Sequence, residues 1–252
     1  MESAEKSFST GVSNQEEINS ILKNHYEKFY NDSLNFLKSR NALKRKVSFP
    51  LLVKPYPDYF ESQTKLMIFG KETYSWKISE NLPYMKEDIT NNDVVGTLLK
   101  KYKDFNLGID RNSPFWNFCH KLNRKFNKSD RAFIWNNISK VDENRSTPNW
   151  FILKELSANS GIINKEIDLL KPEVVVFLTG SIPQSHLNNI FKGLQMISLN
   201  ESIFRMQHIS LPFHSYKTAH PKSLRLNKTF DSVIDFICND FKIANGIENN
   251  VE

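Results

Sequence analysis

Four short stretches of this 252-residue chain carry side chains able to do chemistry. Gly70-Lys71-Glu72-Thr73-Tyr74-Ser75-Trp76 holds a carboxylate, which can orient or activate water, and two aromatic rings, Tyr74 and Trp76, that can line a flat pocket. Asn136-Asn137 supplies side-chain amides, each both donor and acceptor, the pattern that reads a base edge. Thr179-Gly180-Ser181 is a glycine turn. His220-Pro221-Lys222-Ser223-Leu224-Arg225 offers a histidine that can stabilise a developing anion or donate a proton. Each stretch alone has a plainer reading: a Gly-x-Glu turn, an Asn helix cap, a His-Pro turn. Their occurrence together gives the chemical reading its weight.

Each stretch follows an apolar run that reads as a strand. Lys65-Leu-Met-Ile-Phe-Gly70, Ala132-Phe-Ile-Trp-Asn136 and Val174-Val-Val-Phe-Leu-Thr-Gly180 have the continuous apolar character of buried parallel strands. Residues 194–219 hold one to three more, around 196–199, 205–211 and 216–219. Helical spacing fills the intervals. A helix is predicted from Ser13, one over about 88 to 103, and one opened by Ser113-Pro114 with Phe115, Phe118, Cys119, Leu122 and Phe126 on its inner stripe. Others are expected from Pro148 to about 170, from about 183 to 191, and from about 223 to 243 with Leu226 facing inward. The alternation predicts an α/β fold, a three-layer α/β/α sandwich with a central, mostly parallel sheet. Right-handed crossovers then place all four stretches at one sheet edge, beyond the carboxyl ends of the strands, where such sheets bind ligands. Residues 1–48 are expected to form a fraying tail and a helix packing on the domain, 49–243 the α/β domain, and 244–252 a flexible tail.

Lys and Arg number 34 against 28 Asp and Glu, a formal charge of +6 that permits a polyanionic partner. Lys217, Lys222, Arg225 and Lys228 surround the His-Pro stretch without an acid between 213 and 228, which favours a phosphate-binding rim. A second basic run, Lys38 to Lys46, reads as a solvated helix end or a phosphate-contacting arm; the Lys121 to Arg131 cluster reads as solvated surface or a secondary contact. Cys119 and Cys238 are too few for a disulfide framework or a four-thiolate site. His25, His120, His186 and His208 lack metal-ligand spacing and read as structural, and His214 as core, surface or support for His220. No apolar run is long enough to span a bilayer, and the polar start has no signal-peptide character. The expectation is a reduced, cytoplasmic monomer without metal or cofactor.

With these motifs in this order, the chain resembles the uracil-DNA glycosylase superfamily. Gly70-Lys71-Glu72-Thr73-Tyr74 stands where that family has a Gly-Gln-Asp-Pro-Tyr loop. Ile134-Trp135-Asn136 stands at its Leu-Leu-Asn strand end, Lys171-Pro172 through Gly180 at its third strand, and His220-Pro221-Lys222-Ser223-Leu224 at its His-Pro-Ser-Pro-Leu motif. The resemblance implies roles. Glu72 orients the attacking water, Asn136 pairs with the flipped base, and His220 stabilises the leaving base. Gly70, Lys71, Tyr74, Trp76 and Gly180 form the substrate pocket. Leu224 is the wedge that fills the vacated stack, and Lys222, Ser223 and Arg225 meet phosphates. Alternation along a strand leaves open whether Asn136 or Asn137 faces the pocket. The family's base-stacking aromatic has Trp76, Tyr84 and Phe60 as candidates. Some branches carry an iron–sulfur cluster on four cysteines, which this chain lacks. Lys71, Glu72, Thr73, Trp76, Lys222 and Ser223 depart from the pattern.

The implied activity is hydrolytic removal of uracil, or another deaminated or modified base, from single- or double-stranded DNA. Two alternatives accompany it: a module of the same fold that binds nucleic acid or a protein without chemistry, and a hydrolase of free nucleosides or nucleotides.

Overall fold

The computed structural model describes residues 2–86, 93–180 and 182–246, with side chains from residue 14 onward. Along the chain come α1 (Glu2–Ser39), α2 (Pro57–Phe60), β1 (Leu66–Gly70), α3 (Val94–Asp104), α4 (Pro114–Phe126) and β2 (Phe133–Asn137). Then follow α5 (Trp150–Leu153), which runs into a π-helical turn (Lys154–Asn159), α6 (Ile162–Leu170), β3 (Val174–Phe177) and α7 (Gln184–Ile190). The last third holds β4 (Gln195–Ser198), β5 (Ile203–Gln207), β6 (His214–Thr218), α8 (Pro221–Leu226) and α9 (Phe230–Ala244).

The strands form one sheet in the order β2-β1-β3-β6-β5-β4. β2, β1, β3 and β6 are mutually parallel, and β5 and β4 continue the sheet antiparallel. The mostly parallel α/β expectation holds, and the carboxyl ends of the four parallel strands share one edge. β1, β2 and β3 are buried along their whole length, because helices cover both faces.

Several boundaries differ from expectation. The first helix begins at Glu2 rather than Ser13. The third begins at Val94, where the Asp93 carboxylate caps it by accepting from the Gly96 N–H at 2.7 Å; the expected start near 88 lies outside the described residues, as do Ser181 and 247–252. The single closing helix is two helices, α8 and α9, separated where Lys228 adopts φ 58°, and Leu226 is 75% exposed instead of facing inward.

In-phase pairing puts residues of neighbouring strands on common faces. Gly70 pairs with Asn137, and Ile68 with Trp135. Trp135 packs edge-on against Trp116 of α4, so this face looks toward α4, α8 and α9. Phe69 pairs with Asn136 and Phe177, and the Phe69 and Phe177 rings stack at 4.7 Å. This second face looks toward α1, α6 and α7. It holds a buried polar network. Lys140 Nζ lies 2.6 Å from Glu166 Oε1 with both side chains fully buried, and it donates to Asn136 Oδ1 at 2.7 Å. Asn136 Nδ2 donates to Glu166 Oε2 at 2.9 Å, and the Tyr26 hydroxyl of α1 donates to Glu166 Oε1 at 2.8 Å.

Burial lowers the Lys140 pKa, and the Glu166 carboxylate opposes that shift; burial, then Glu166, raises the Tyr26 phenol. Removing one member strands a charge in the core. Lys140→Met is expected to cost about 3–5 kcal/mol in equilibrium urea unfolding, and a Lys140→Met, Glu166→Leu double variant to recover much of that loss.

Candidate active site

Strand alternation decides which amide reaches the carboxyl edge. Asn136 points into the network behind the sheet. Asn137 points to the opposite face, beside Gly70. A Cβ added to Gly70 would lie 2.5 Å from the Asn137 amide and 3.3 Å from the Phe115 ring, so the absence of a side chain makes this approach possible. The Asn137 amide is best oriented with its nitrogen donating to Asn136 O at 2.9 Å and its oxygen accepting from the Thr73 N–H at 3.2 Å. One N–H and one oxygen lone pair remain for a ligand.

Phe115, in the first turn of α4, lies nearly parallel to the His220 ring, 6.3 Å between centroids and 23° between planes. His220 caps α8, its Nδ1 accepting from the Lys222 N–H at 3.2 Å. That bond leaves the proton of the neutral ring on Nε2. Partial burial, then the Lys222 and Lys71 cations, lower the His220 pKa, which favours the neutral ring at pH 7. Gly180 closes the other side. Its φ is +55°, and a Cβ there would lie 3.3 Å from His220 Cβ and N. Lys217 Nζ donates to Gly180 O at 2.9 Å, so this lysine braces the glycine turn instead of joining the expected phosphate rim.

The Glu72 loop is held from below. The buried Asp142 carboxylate accepts from Thr73 Oγ1 at 2.8 Å, the Ser75 N–H at 2.9 Å and the Arg145 N–H at 2.9 Å. Backbone bonds from Ile138 N–H to Gly70 O and from Ser139 N–H to Lys71 O continue the β1–β2 pairing into both loops. On this support the Glu72 carboxylate accepts from Thr147 Oγ1 at 3.0 Å and lies 3.6 Å from Lys71 Nζ, four-fifths buried.

Gly70, Lys71, Glu72, Gly180 and His220 of the expected set thus gather at one edge. Other expected residues go elsewhere. Asn136 is in the core network. Trp76 is buried edge-on against Phe105 and Trp135, within an aromatic cluster, because its loop turns back under α3. Tyr74 is 76% exposed beside Arg145. Leu224 is buried in the core and so is not placed as the expected wedge, whereas Lys222, Ser223 and Arg225 are exposed on α8, the helix that His220 caps. Sequence reasoning assigned the amide role to Asn136 while leaving Asn137 open, and missed Phe115, which it placed in a core stripe, and Asp142. Phe115 had one available signal, its position in the first turn after Ser113-Pro114, the end of the helix nearest the strand ends.

His214 bonds Tyr216 in a cluster with Asp240, away from this edge, and Lys121 and Arg124 pair with Asp231 and Asp130 on the surface. Among the described residues no group of three or more His, Cys, Asp or Glu is placed to hold a metal ion, and no helix is long and apolar enough to cross a membrane. Cys119 and Cys238 are buried thiols with raised pKa values, Cys238 pushed up to about 12, and do not fit an iron–sulfur cluster.

No curated protein matches the sequence. The family model described as uracil DNA glycosylase superfamily matches residues 57–242, which includes every strand and the whole edge just described. The chain therefore belongs to the uracil-DNA glycosylase superfamily.

Proposed function

We propose that this chain removes uracil, or another deaminated or modified base, from DNA by hydrolysis of the N-glycosidic bond. The observation that carries the reading is the convergence of a side-chain amide (Asn137), an aromatic face (Phe115) and an imidazole (His220) around Gly70 and Gly180, with Glu72 on the adjoining loop.

Cleavage builds positive charge on the sugar and negative charge on the departing base. Neutral His220 donates its Nε2–H toward the base oxygen, where Lys71 and Lys222 also favour negative charge. Glu72 holds the water and favours the sugar cation. The water oxygen bonds to the sugar carbon as the carbon–nitrogen bond breaks; the water proton passes to the Glu72 carboxylate, and the base leaves with the bonding pair. Asn137 reads the flipped base through its free N–H and lone pair. A wrong edge leaves those groups unpaired, which discriminates strongly. Extrusion is easiest for damaged, mispaired or unpaired bases.

The test is base release from oligonucleotides carrying uracil opposite guanine, opposite adenine and in single strands, with hypoxanthine and xanthine alongside. Asn137→Ala and His220→Ala are each expected to lower turnover by about 10²–10³-fold; His220→Ala leaves the thermal midpoint little changed, whereas Asn137→Ala also lowers it, because the buried Thr73 N–H and Asn136 O lose their partner. Asn136→Ala is expected to act on stability, because it removes one hydrogen-bond acceptor from buried Lys140 and one donor to buried Glu166. Unchanged turnover in both Asn137→Ala and His220→Ala rejects the assignment. Release of no base by folded protein that still binds DNA selects the binding-module alternative instead.

The pH profile gives a second check. The lowered His220 pKa keeps the ring neutral down to the ordinary imidazole range, about 6.5. Protonation below that breaks the Lys222 N–H to Nδ1 bond and replaces the neutral donor. kcat/KM is expected to stay level from about pH 8 to 6.5 and to fall below it. An acid limb centred above 6.5 contradicts the role given to neutral His220.

A further inference from the structure

Beside the pocket, the same edge exposes aromatic rings next to cations. Tyr74 is 76% exposed, with the Arg145 guanidinium 5.7 Å from its ring centroid. Trp150 is 46% exposed and stacks on His186 at 5.0 Å and 25°, whereas Trp76, Trp116 and Trp135 are all buried. Trp150 also lines an open groove with Arg40, Lys154 and Glu155, whose carboxylate accepts from Asn159 Nδ2 at 2.7 Å. These two cations form no ion pair among the described residues, while the nearby Glu143 is occupied by Arg45 at 2.6 Å and by the Asn149 N–H at 2.8 Å. The basic run at the end of α1 therefore comes to lie beside an exposed tryptophan.

The rings are tied to the pocket loop. Thr147, three residues before Trp150, donates to Glu72, and Arg145 Nε donates to Ser75 Oγ at 2.9 Å. Asp142 holds both segments. Exposed ring faces beside unpaired cations are what unpaired nucleotides recognise: bases stack on the rings, and phosphates meet the cations. In a duplex the base faces are already stacked on one another and present nothing for these rings.

We propose that this rim is a track for single-stranded DNA. Tyr74 and Trp150 are its stacking platforms, and Arg145, Arg40 and Lys154 its phosphate partners. It takes the unpaired nucleotides that flank the base in the pocket, and only this last point rests on the function proposed above.

Trp150 supplies its own probe, because the other three tryptophans are buried. The full chain is titrated with oligothymidylate, which holds no cleavable uracil, following intrinsic fluorescence and, separately, the anisotropy of a labelled oligonucleotide. Quenching on binding is expected, with affinity weakened about tenfold or more in Trp150→Ala. Trp150→Phe keeps the ring and is expected to restore affinity while losing the signal. Lys154→Ala is expected to flatten the salt dependence. Ile209→Ala, another exposed apolar site away from the rim, is expected to bind as the parent does. Equal affinity in Trp150→Ala and the parent, binding without quenching, or preference for duplex thymidylate–adenylate overturns the track. Trp150-dependent quenching with no base release from uracil oligonucleotides supports the track and tells against the catalytic reading. Base release without quenching does the reverse.

Discussion

The buried ion pair between Lys140 and Glu166 is the constraint on which the arrangement of the strand ends depends. Two charges without solvent must find each other and saturate their remaining bonds within the core. Lys140 belongs to the loop leaving β2, Glu166 to α6 and Tyr26 to α1, so satisfying the pair fixes three separate segments relative to the sheet. It also consumes both ends of the Asn136 amide. Once Asn136 is committed to the rear face, alternation along β2 delivers Asn137 to the front face, next to Gly70. The identity of the amide at the site thus follows from polar satisfaction behind the sheet.

A second buried acid completes the positioning from the front. Asp142 bonds one hydroxyl and two backbone N–H groups in two loops distant in sequence. Each would cost about 1–3 kcal/mol if left unpaired. Together they hold the Glu72 loop in register with the segment that carries Thr147 and Trp150. The Glu72 carboxylate and the exposed rim are therefore joined by the same set of hydrogen bonds, and neither hangs on a free loop.

What the sequence disclosed and what it concealed follow from the range of the forces involved. β1 and β3 were legible because burial on both faces leaves an unbroken apolar run. α4 was legible because Ser113 and Pro114 mark its start. The loops holding Gly70, Gly180 and His220 were legible because parallel topology forces them to one edge. The choice between Asn136 and Asn137 was not, since it turns on Lys140 and on Glu166, 26 positions further along. Trp76 and Tyr74 were both candidates for the pocket wall, and no local pattern says that the loop buries one ring and exposes the other. Leu226 continued a helical stripe, but the left-handed Lys228 ends that helix, and only the packing of α9 against α4 shows why the chain must turn there.

The charges at the edge suit one sense of bond cleavage better than the other. Burial first, then the Lys222 and Lys71 cations, lower the His220 pKa, and the two cations favour negative charge near the ring. The Glu72 carboxylate, 3.6 Å from Lys71 Nζ on the loop after β1, favours positive charge beside it. A reaction that separates charge along this line, with an anion departing toward His220 and a cation left toward Glu72, is stabilised at both ends by groups already fixed in place. A reaction placing an anion near Glu72 would meet repulsion there and gain nothing from the histidine. That polarity agrees with departure of a base as an anion from an oxocarbenium-like sugar. It also gives the replacement of the family's Gln by Lys71 a physical sense: the added cation raises the field at the leaving-group end, while the same ammonium pairs with Glu72 Oε2 at 3.6 Å and so ties the carboxylate to its loop.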